Sequence, residues 1–557
     1  MIPGVYMKLY ENIDKKLELL RNSPSHKEYI DSMKEYFEGN KDIKIHSIDY
    51  STFKIFFESG SRAEYDNYYW PKRKRLACAA MLYLLFKEEK YLDEVCDMVW
   101  LICGEVQWAL PAHLAGKKAE NYRNEIDLMA AETGAQLAEI HYLLKDALPD
   151  NVKRLIIKEV SDRIFSGFET RAFGWETTKN NWAAVCSCGV GLSYMFLAPE
   201  RFAMVKERLL SAMEYFLESY GDDGCCQEGV GYWNYGFGSY IYFSATLYDF
   251  SDGEIDIRHS EKIDKIATYI QNVMLRKGIP VSFSDAYRQL VFKNVDIISY
   301  IYSNYKDFSV PDYEIGDFSD SETRFFRLLR EFLWWNPEIE NKKSKLKMGW
   351  NYLPDAQWYI NRKEKFSFAA KAGHNAEPHN HNDVGSFIFA TDKGQILADI
   401  GSMEYTRDTF GEKRYTFLNN SSLGHNVPII GETTQLPGKQ FCGAVMSANE
   451  NEFSLELQKA YGIENKMSRK FEIFDSGIKM TDTFGNITEP ITERFITFIE
   501  PEIKDGKIHI ADGVMEFCGE AKITSQTLIN HYMAPETVYI IEIPLQDNKF
   551  ELSVKVV

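Results

Sequence analysis

Apolar residues recur every three or four positions through roughly the first 335 residues of the chain. The period is clear over 73–86 (RKRLACAAMLYLLF), 91–106 (YLDEVCDMVWLICGEV), 125–144 (EIDLMAAETGAQLAEIHYLL), 152–165, 202–220 and 262–275, and it predicts amphipathic helices. In the last of these, Ile263, Ile266, Ile270 and Val273 form one stripe. Such stripes are core faces, and a series of them joined by modest loops predicts helical hairpins stacked as a solenoid or closed as an α/α toroid. The period is lost over 334–354 (WWNPEIENKKSKLKMGWNYLP), where proline and a run of lysines mark a boundary. Beyond it, short segments at 366–373, 386–394, 453–462, 468–477, 478–485, 493–500, 509–517 and 538–544 are separated by turn residues. They predict an antiparallel β-sandwich. The expected organisation is multidomain α + β, with an N-terminal α/α toroid of helical hairpins over 1–335, a linker over 336–350 and a C-terminal antiparallel β-sandwich over 351–557. A chain of 557 residues is too long for one core, which agrees.

Composition changes this picture little. No apolar run approaches the ~18 residues of a membrane span, so no membrane partner is expected. A net charge of -18 argues against general nucleic-acid binding. It leaves room for an anionic sugar, because a pocket can be basic on an acidic surface. The N-terminal MIPGVYMKLYENIDKKLELL has neither the apolar stretch nor the cleavage site of a secretory signal. It reads as a cytoplasmic start, or a periplasmic one if a signal has been removed. The nine cysteines lack a metal-binding spacing and read as buried free thiols.

Three loops in the helical half depart from plain amphipathic text. They are QWALPAH (107–113), NNWAAVCSCG (180–189) and DDGCCQEGVGYWNYGFGSY (222–240). Aromatic and amide side chains at helix ends suit sugar binding, and three such loops together suggest a cleft. The histidines concentrate elsewhere. His374, His379, His381 and His425 fall within one stretch with Asp383 and Asp399. If HNHND lies on a strand, His379 and His381 point to one side. A carboxylate and a third imidazole from neighbouring segments would then complete a three-ligand zinc site with an open position.

HNHND, LADIG and KRYTFLNNSSLGHN, with the upstream NNW and YWNYG loops, resemble the heparinase II/III-like polysaccharide lyases. That family pairs an α/α toroid with an antiparallel β-sandwich. It includes heparin, heparan and alginate lyases, some of them exo-acting on oligosaccharides. The resemblance implies β-elimination on a uronic-acid glycan, leaving a 4,5-unsaturated uronate. It assigns Asn181 to the substrate carboxylate and Tyr235 to proton transfer, with Tyr232 as the other candidate. His379 would reach the substrate from the sandwich side, and His381, Asp399 and His425 would bind zinc. Tyr232, Trp182, His113, Arg414 and Tyr415 would border the sugar. One departure from the pattern is Trp182, where several members carry a histidine. The partner implied is an acidic oligo- or polysaccharide, and the absence of a signal points to exo action on short chains. Two other classes fit the same architecture. One is a glycoside hydrolase using a pair among Asp222, Asp223 and Glu228. The other is a non-catalytic acidic-glycan-binding protein.

Overall fold

The computed structural model describes residues 7–293, 295–314, 316–318, 324–342 and 346–557. Helices fill the N-terminal part and strands the C-terminal part. The periodic segments become the helices Ala63–Phe86, Glu89–Cys103, Leu128–Leu144, Asp150–Val160, Phe202–Leu217 and Glu261–Val273. At the centre lie Leu128–Leu144 and Asn181–Leu197, buried around nearly their whole circumference. Neither is strongly amphipathic, as expected of helices with protein on every side. Small residues let them approach. A Cβ placed on Gly189 would stand 2.4 Å from the carbonyl carbon of Ala131, and one on Gly191 2.4 Å from the Phe243 ring. Gly189→Ala is therefore expected to lower stability by about 1–3 kcal/mol, read as a shifted urea midpoint with an unchanged slope.

The strands of the C-terminal part begin at Gly349, inside the segment expected to link the two parts. An antiparallel five-stranded sheet runs in the order Gly349–Leu353, Trp358–Arg362, Ser367–Lys371, Phe387–Thr391 and Gly394–Leu397. Its three central strands are buried at every position. Alternation divides their side chains between two cores. Trp358, Ile360, Ala369, Ile388 and Ala390 join the hydrophobic core of the helices. Tyr359, Phe368, Ala370, Phe387 and Phe389 join a second core with Phe453, Phe471, Phe495 and Leu552. That core is completed by an eight-stranded sheet drawn from Ala444–Val556 and a four-stranded sheet that includes Lys522–Ile529 and Pro535–Pro544. A short β-hairpin, Met274–Arg276 with Ile279–Pro280, follows the last periodic helix and packs on the five-stranded sheet. The loop after this hairpin enters the site described next. All nine cysteines are free, and most are buried. Among the described residues, no helix is long and apolar enough to cross a membrane.

Candidate active site at the helix–sheet junction

On the helical side, the Asn180 side chain accepts from the Trp182 amide (3.1 Å) and caps the central helix. This places Asn181, only 7% exposed, in the first helical turn at the cleft floor. The Trp182 ring meets the His113 ring edge-on at 4.7 Å. Asp127 Oδ2 holds His113 Nδ1 at 2.6 Å while Oδ1 accepts from the Ala130 amide, so one carboxylate caps a helix and orients an imidazole. His113, Trp182 and Asn181 thus share one rim, as their loops suggested.

Tyr232 and Tyr235 part company. Both lie where the glycine-rich loop turns into helix, with a π-helical turn over Trp233–Phe237. The Tyr232 ring lies 4.3 Å from the His379 ring, and its hydroxyl is 2.8 Å from that of Tyr405. Burial, then the nearby Tyr405 and Asp285, push the Tyr232 phenol well above its ordinary pKa. The Tyr235 hydroxyl is buried beside Glu132, Arg324 and Arg327, with the Arg327 guanidinium 4.9 Å from its ring centre. It has no hydrogen-bond partner among the described residues. The tyrosine against the sheet-side histidine is therefore Tyr232, and the Tyr235 to which sequence resemblance gave the proton transfer lies deeper, among charged residues of the helical side.

HNHND is not a strand. His379 sits in a turn with φ of 56°, and His381 in the loop after it. The two imidazoles converge on one carboxylate, Asp285. Its Oδ2 lies 2.6 Å from His379 Nδ1, and its Oδ1 lies 3.0 Å from His381 Nε2. Burial alone would raise the Asp285 pKa; hydrogen bonds from His379 and His381 override it and hold the carboxylate well below the usual range. With Nδ1 committed, the other face of His379 turns to the helices, where Nε2 is 3.6 Å from Glu228 Oε2. Burial raises the Glu228 pKa, and the Asn181 backbone amide faces the same carboxylate. Glu228 therefore lies between the Asn181 backbone and His379, where the helical and sheet residues meet.

Arg414 donates through Nε and Nη2 to the Asn380 carbonyl (3.1 and 2.9 Å) and through Nη1 to that of Thr409 (3.0 Å). The Tyr415 hydroxyl accepts from Asn380 Nδ2 at 3.3 Å. Both residues, expected to bind sugar, brace the loop that carries His379, and Arg414 Nη2 also lies 3.6 Å from Asp285 Oδ2. Of the carboxylates considered for hydrolysis, the Asp222 side chain is 94% exposed, and Asp223 accepts from the backbone amides of Cys225, Asp355 and Ala356. Only Glu228 reaches the site.

His381, Asp399 and His425 are fully buried, and each offers a ligand atom within 4.8 Å of the others. The donor set tests whether a cation fits. His425 Nε2 lies 2.9 Å from the Asn419 carbonyl, which can only accept, so Nε2 carries hydrogen. His425 Nδ1 and Asp399 Oδ2, 2.9 Å apart, share a proton, and Asp399 raises the ring's pKa against the effect of burial; a cation would take that proton's place and use the lone pair. His381 gives its Nε2 hydrogen to Asp285, and its buried Nδ1 has no partner among the described residues. Two oriented imidazole lone pairs beside a carboxylate, each ring fixed by its other nitrogen, form a donor set that fits zinc.

Sequence reasoning missed three contributors. Asp285 lies in VSFSDAY, which has no motif; Tyr405 lies in an irregular stretch. Arg62 begins the long Ala63–Phe86 helix as its N-cap and interacts electrostatically with both Tyr232 and Tyr405. Only the folded chain brings these three together.

No family model and no curated protein sequence matches the chain. Solved structures do. A structure of heparinase III superposes with a TM-score of 0.63 at 11% identity, covering 96% of this chain and 92% of that one. A mutant of the heparan sulfate lyase HepC from Pedobacter heparinus gives 0.59 at 12%, covering 98% and 89%. The chondroitin AC lyase from Streptomyces coelicolor A3, in complex with chondroitin sulphate, gives 0.60 at 9%, covering 98% and 82%. From its first described helices to its last strand, this chain adopts the fold of the heparinase III-type polysaccharide lyases.

Proposed function

We propose that the protein is a polysaccharide lyase that cleaves a uronic-acid glycan by β-elimination, leaving a 4,5-unsaturated uronate. The observation that carries this reading is the packing of Tyr232 against His379, with His379 locked through Nδ1 onto Asp285. The lyase activities of the structural neighbours support it. In architectural terms, the reading is a helical-hairpin toroid over 1–335, a linker over 336–350 and a β-sandwich over 351–557.

Elimination removes the C5 proton and expels the sugar on O4. The C5 proton is weakly acidic beside an ionised carboxylate. The Asn181 amide, at the head of the central helix, donates to that carboxylate as charge builds on it in the transition state. His379 takes the C5 proton at Nε2. Its Nδ1 hydrogen is held by Asp285, which fixes the tautomer and stabilises the imidazolium that forms. Tyr232 remains protonated at neutral pH and gives its proton to the departing O4. His113 and Trp182 border the sugar. His381, Asp399 and His425 would hold a zinc ion, whose contribution is to fix the loop that carries His379. The reading includes removal of units from the end of short acidic oligosaccharides.

The test is to incubate the protein with heparan, chondroitin, hyaluronan and alginate oligosaccharides and follow the ultraviolet absorbance of the conjugated double bond. A hydrolase or a binder gives no such signal, so shortened products without absorbance, or no products, refute the proposal. Unit-by-unit shortening identifies exo action; a broad product ladder refutes it. For the metal, elemental analysis after purification without chelator should return about one divalent ion per chain. His381→Ala should lose it and lower the melting temperature along with activity. A metal-free wild type would remove the ion from the mechanism.

A further inference from the structure

Aromatic rings do not stop at Tyr232. Tyr405, whose hydroxyl meets that of Tyr232, packs edge-on against His531 with centroids 5.1 Å apart. His531 in turn meets Tyr287 at 5.6 Å and Tyr532 at 5.9 Å, and the Tyr287 and Tyr532 rings lie stacked at 5.5 Å. His531 and Tyr532 form the tip of the hairpin joining Lys522–Ile529 to Pro535–Pro544. The tip is rigidly made. The Asn530 side chain accepts from the amides of Tyr532 and Ala534 (2.9 and 3.0 Å), and the Glu404 amide donates to the Ile529 carbonyl, tying the hairpin to the segment that carries Tyr405. Opposite, Tyr287 lies two residues beyond Asp285. A Cβ on Gly231 would come within 3.0 Å of its ring, so the glycine before Tyr232 is what lets Tyr287 lie against that turn.

Behind Tyr405 this file of rings opens on a cavity of ≈ 490 Å³ between the Ala286–Gln289 loop and the sheets. Aromatic walls come from Tyr287 and Tyr532, and hydrogen-bonding groups from Gln289, Asn530 and His531. Tyr532 is 71% exposed, so one ring face is open to solvent at the mouth. Flat rings beside amides and an imidazole form the surface that pyranose rings recognise, by stacking of C–H faces and by hydrogen bonds to hydroxyls. Arg288 adds no free charge, because it donates to the Ile400 carbonyl (2.8 Å) and pairs with Glu536. Lys393 also lines the cavity, so its rim carries a cation beside these hydroxyl-binding groups.

We infer that this cavity is a second sugar-binding subsite, which holds a ring further along the same glycan through Tyr532 and Tyr287. The inference rests on the lyase reading for which chain is bound, and it assigns the preference for longer oligosaccharides to the hairpin tip.

The experiment compares wild type and Tyr532→Ala on a disaccharide and a tetrasaccharide from whichever glycan in the screen is cleaved. The disaccharide, with two fewer rings to occupy a second subsite, is the reference. Tyr532→Ala should raise the tetrasaccharide KM about three- to tenfold relative to the disaccharide KM, with kcat retained on both. An equal change for both lengths, or none for either, overturns the subsite. Titration calorimetry with the same tetrasaccharides separates this from the chemistry. If no wild-type digest absorbs, the lyase reading alone fails; binding that Tyr532→Ala weakens still upholds the subsite, and binding it leaves untouched overturns it. A wild type that binds none of them overturns both.

Discussion

Tyr232→Phe should lower turnover by ~10²–10⁴ while leaving the fold and KM nearly unchanged. The substitution removes one oxygen and keeps the ring on His379. What it deletes is the proton donor to the leaving oxygen, whose role grows in the transition state. Loss of the 2.8 Å contact to Tyr405 is a smaller matter, because that hydroxyl also has Ser402 and Asp285 as partners. Tyr235→Phe is the matched control, three residues on in the same loop. Its hydroxyl is buried among Glu132, Arg324 and Arg327, so its removal should reduce turnover by less than about tenfold. Steady-state kinetics on one oligosaccharide decides the matter. If Tyr235→Phe is the inactive variant and Tyr232→Phe is not, the roles given to the two tyrosines are reversed.

Asp285→Asn should lower turnover by ~10–100-fold and lower metal content as well. The carboxylate offers two acceptors to two ring hydrogens, one from His379 and one from His381. An asparagine offers one acceptor and one donor in the same volume. One imidazole must then change tautomer or turn. If His379 changes, its Nε2 carries the hydrogen and no longer takes a proton. If His381 changes, its Nδ1 no longer offers a lone pair to the cluster with Asp399 and His425. Kinetics and elemental analysis on the same preparation show which ring gave way. Full activity together with full metal content would show that Asp285 orients neither.

Much of the architecture could be read from hydrophobic spacing, because helices such as Glu261–Val273 and strands such as Met467–Phe474 bury one face and keep the period of that face. Where burial is two-sided, periodicity fades. Asn181–Leu197 was recognisable only from the asparagines at its start, and Trp358–Arg362 went unread as a strand. The convergence of His381, Asp399 and His425 was legible because histidines are rare and stand out in HNHND and GHN. Asp285 and Tyr405 were not legible. Aspartate and tyrosine are common, and nothing local distinguishes the one on which two histidines converge. The different surroundings of Tyr232 and Tyr235 were not legible either, because the π-helical turn over Trp233–Phe237 changes where successive side chains point and has no sequence signature of its own.

The five-stranded sheet that lends alternate side chains to both cores has a consequence for how the molecule comes apart. Trp358, Ile360 and Ile388 belong to the helices as fully as Tyr359 and Phe387 belong to the sheets. Neither half can melt without exposing one side of a wall the other half still needs, so heating should give a single calorimetric transition although the chain is long enough for two. A cut near residue 342 would strip the helices of one wall, and the two fragments would each be sticky alone and soluble only when co-expressed. Recombining the helical half of one such lyase with the sheets of another would fail for the same reason.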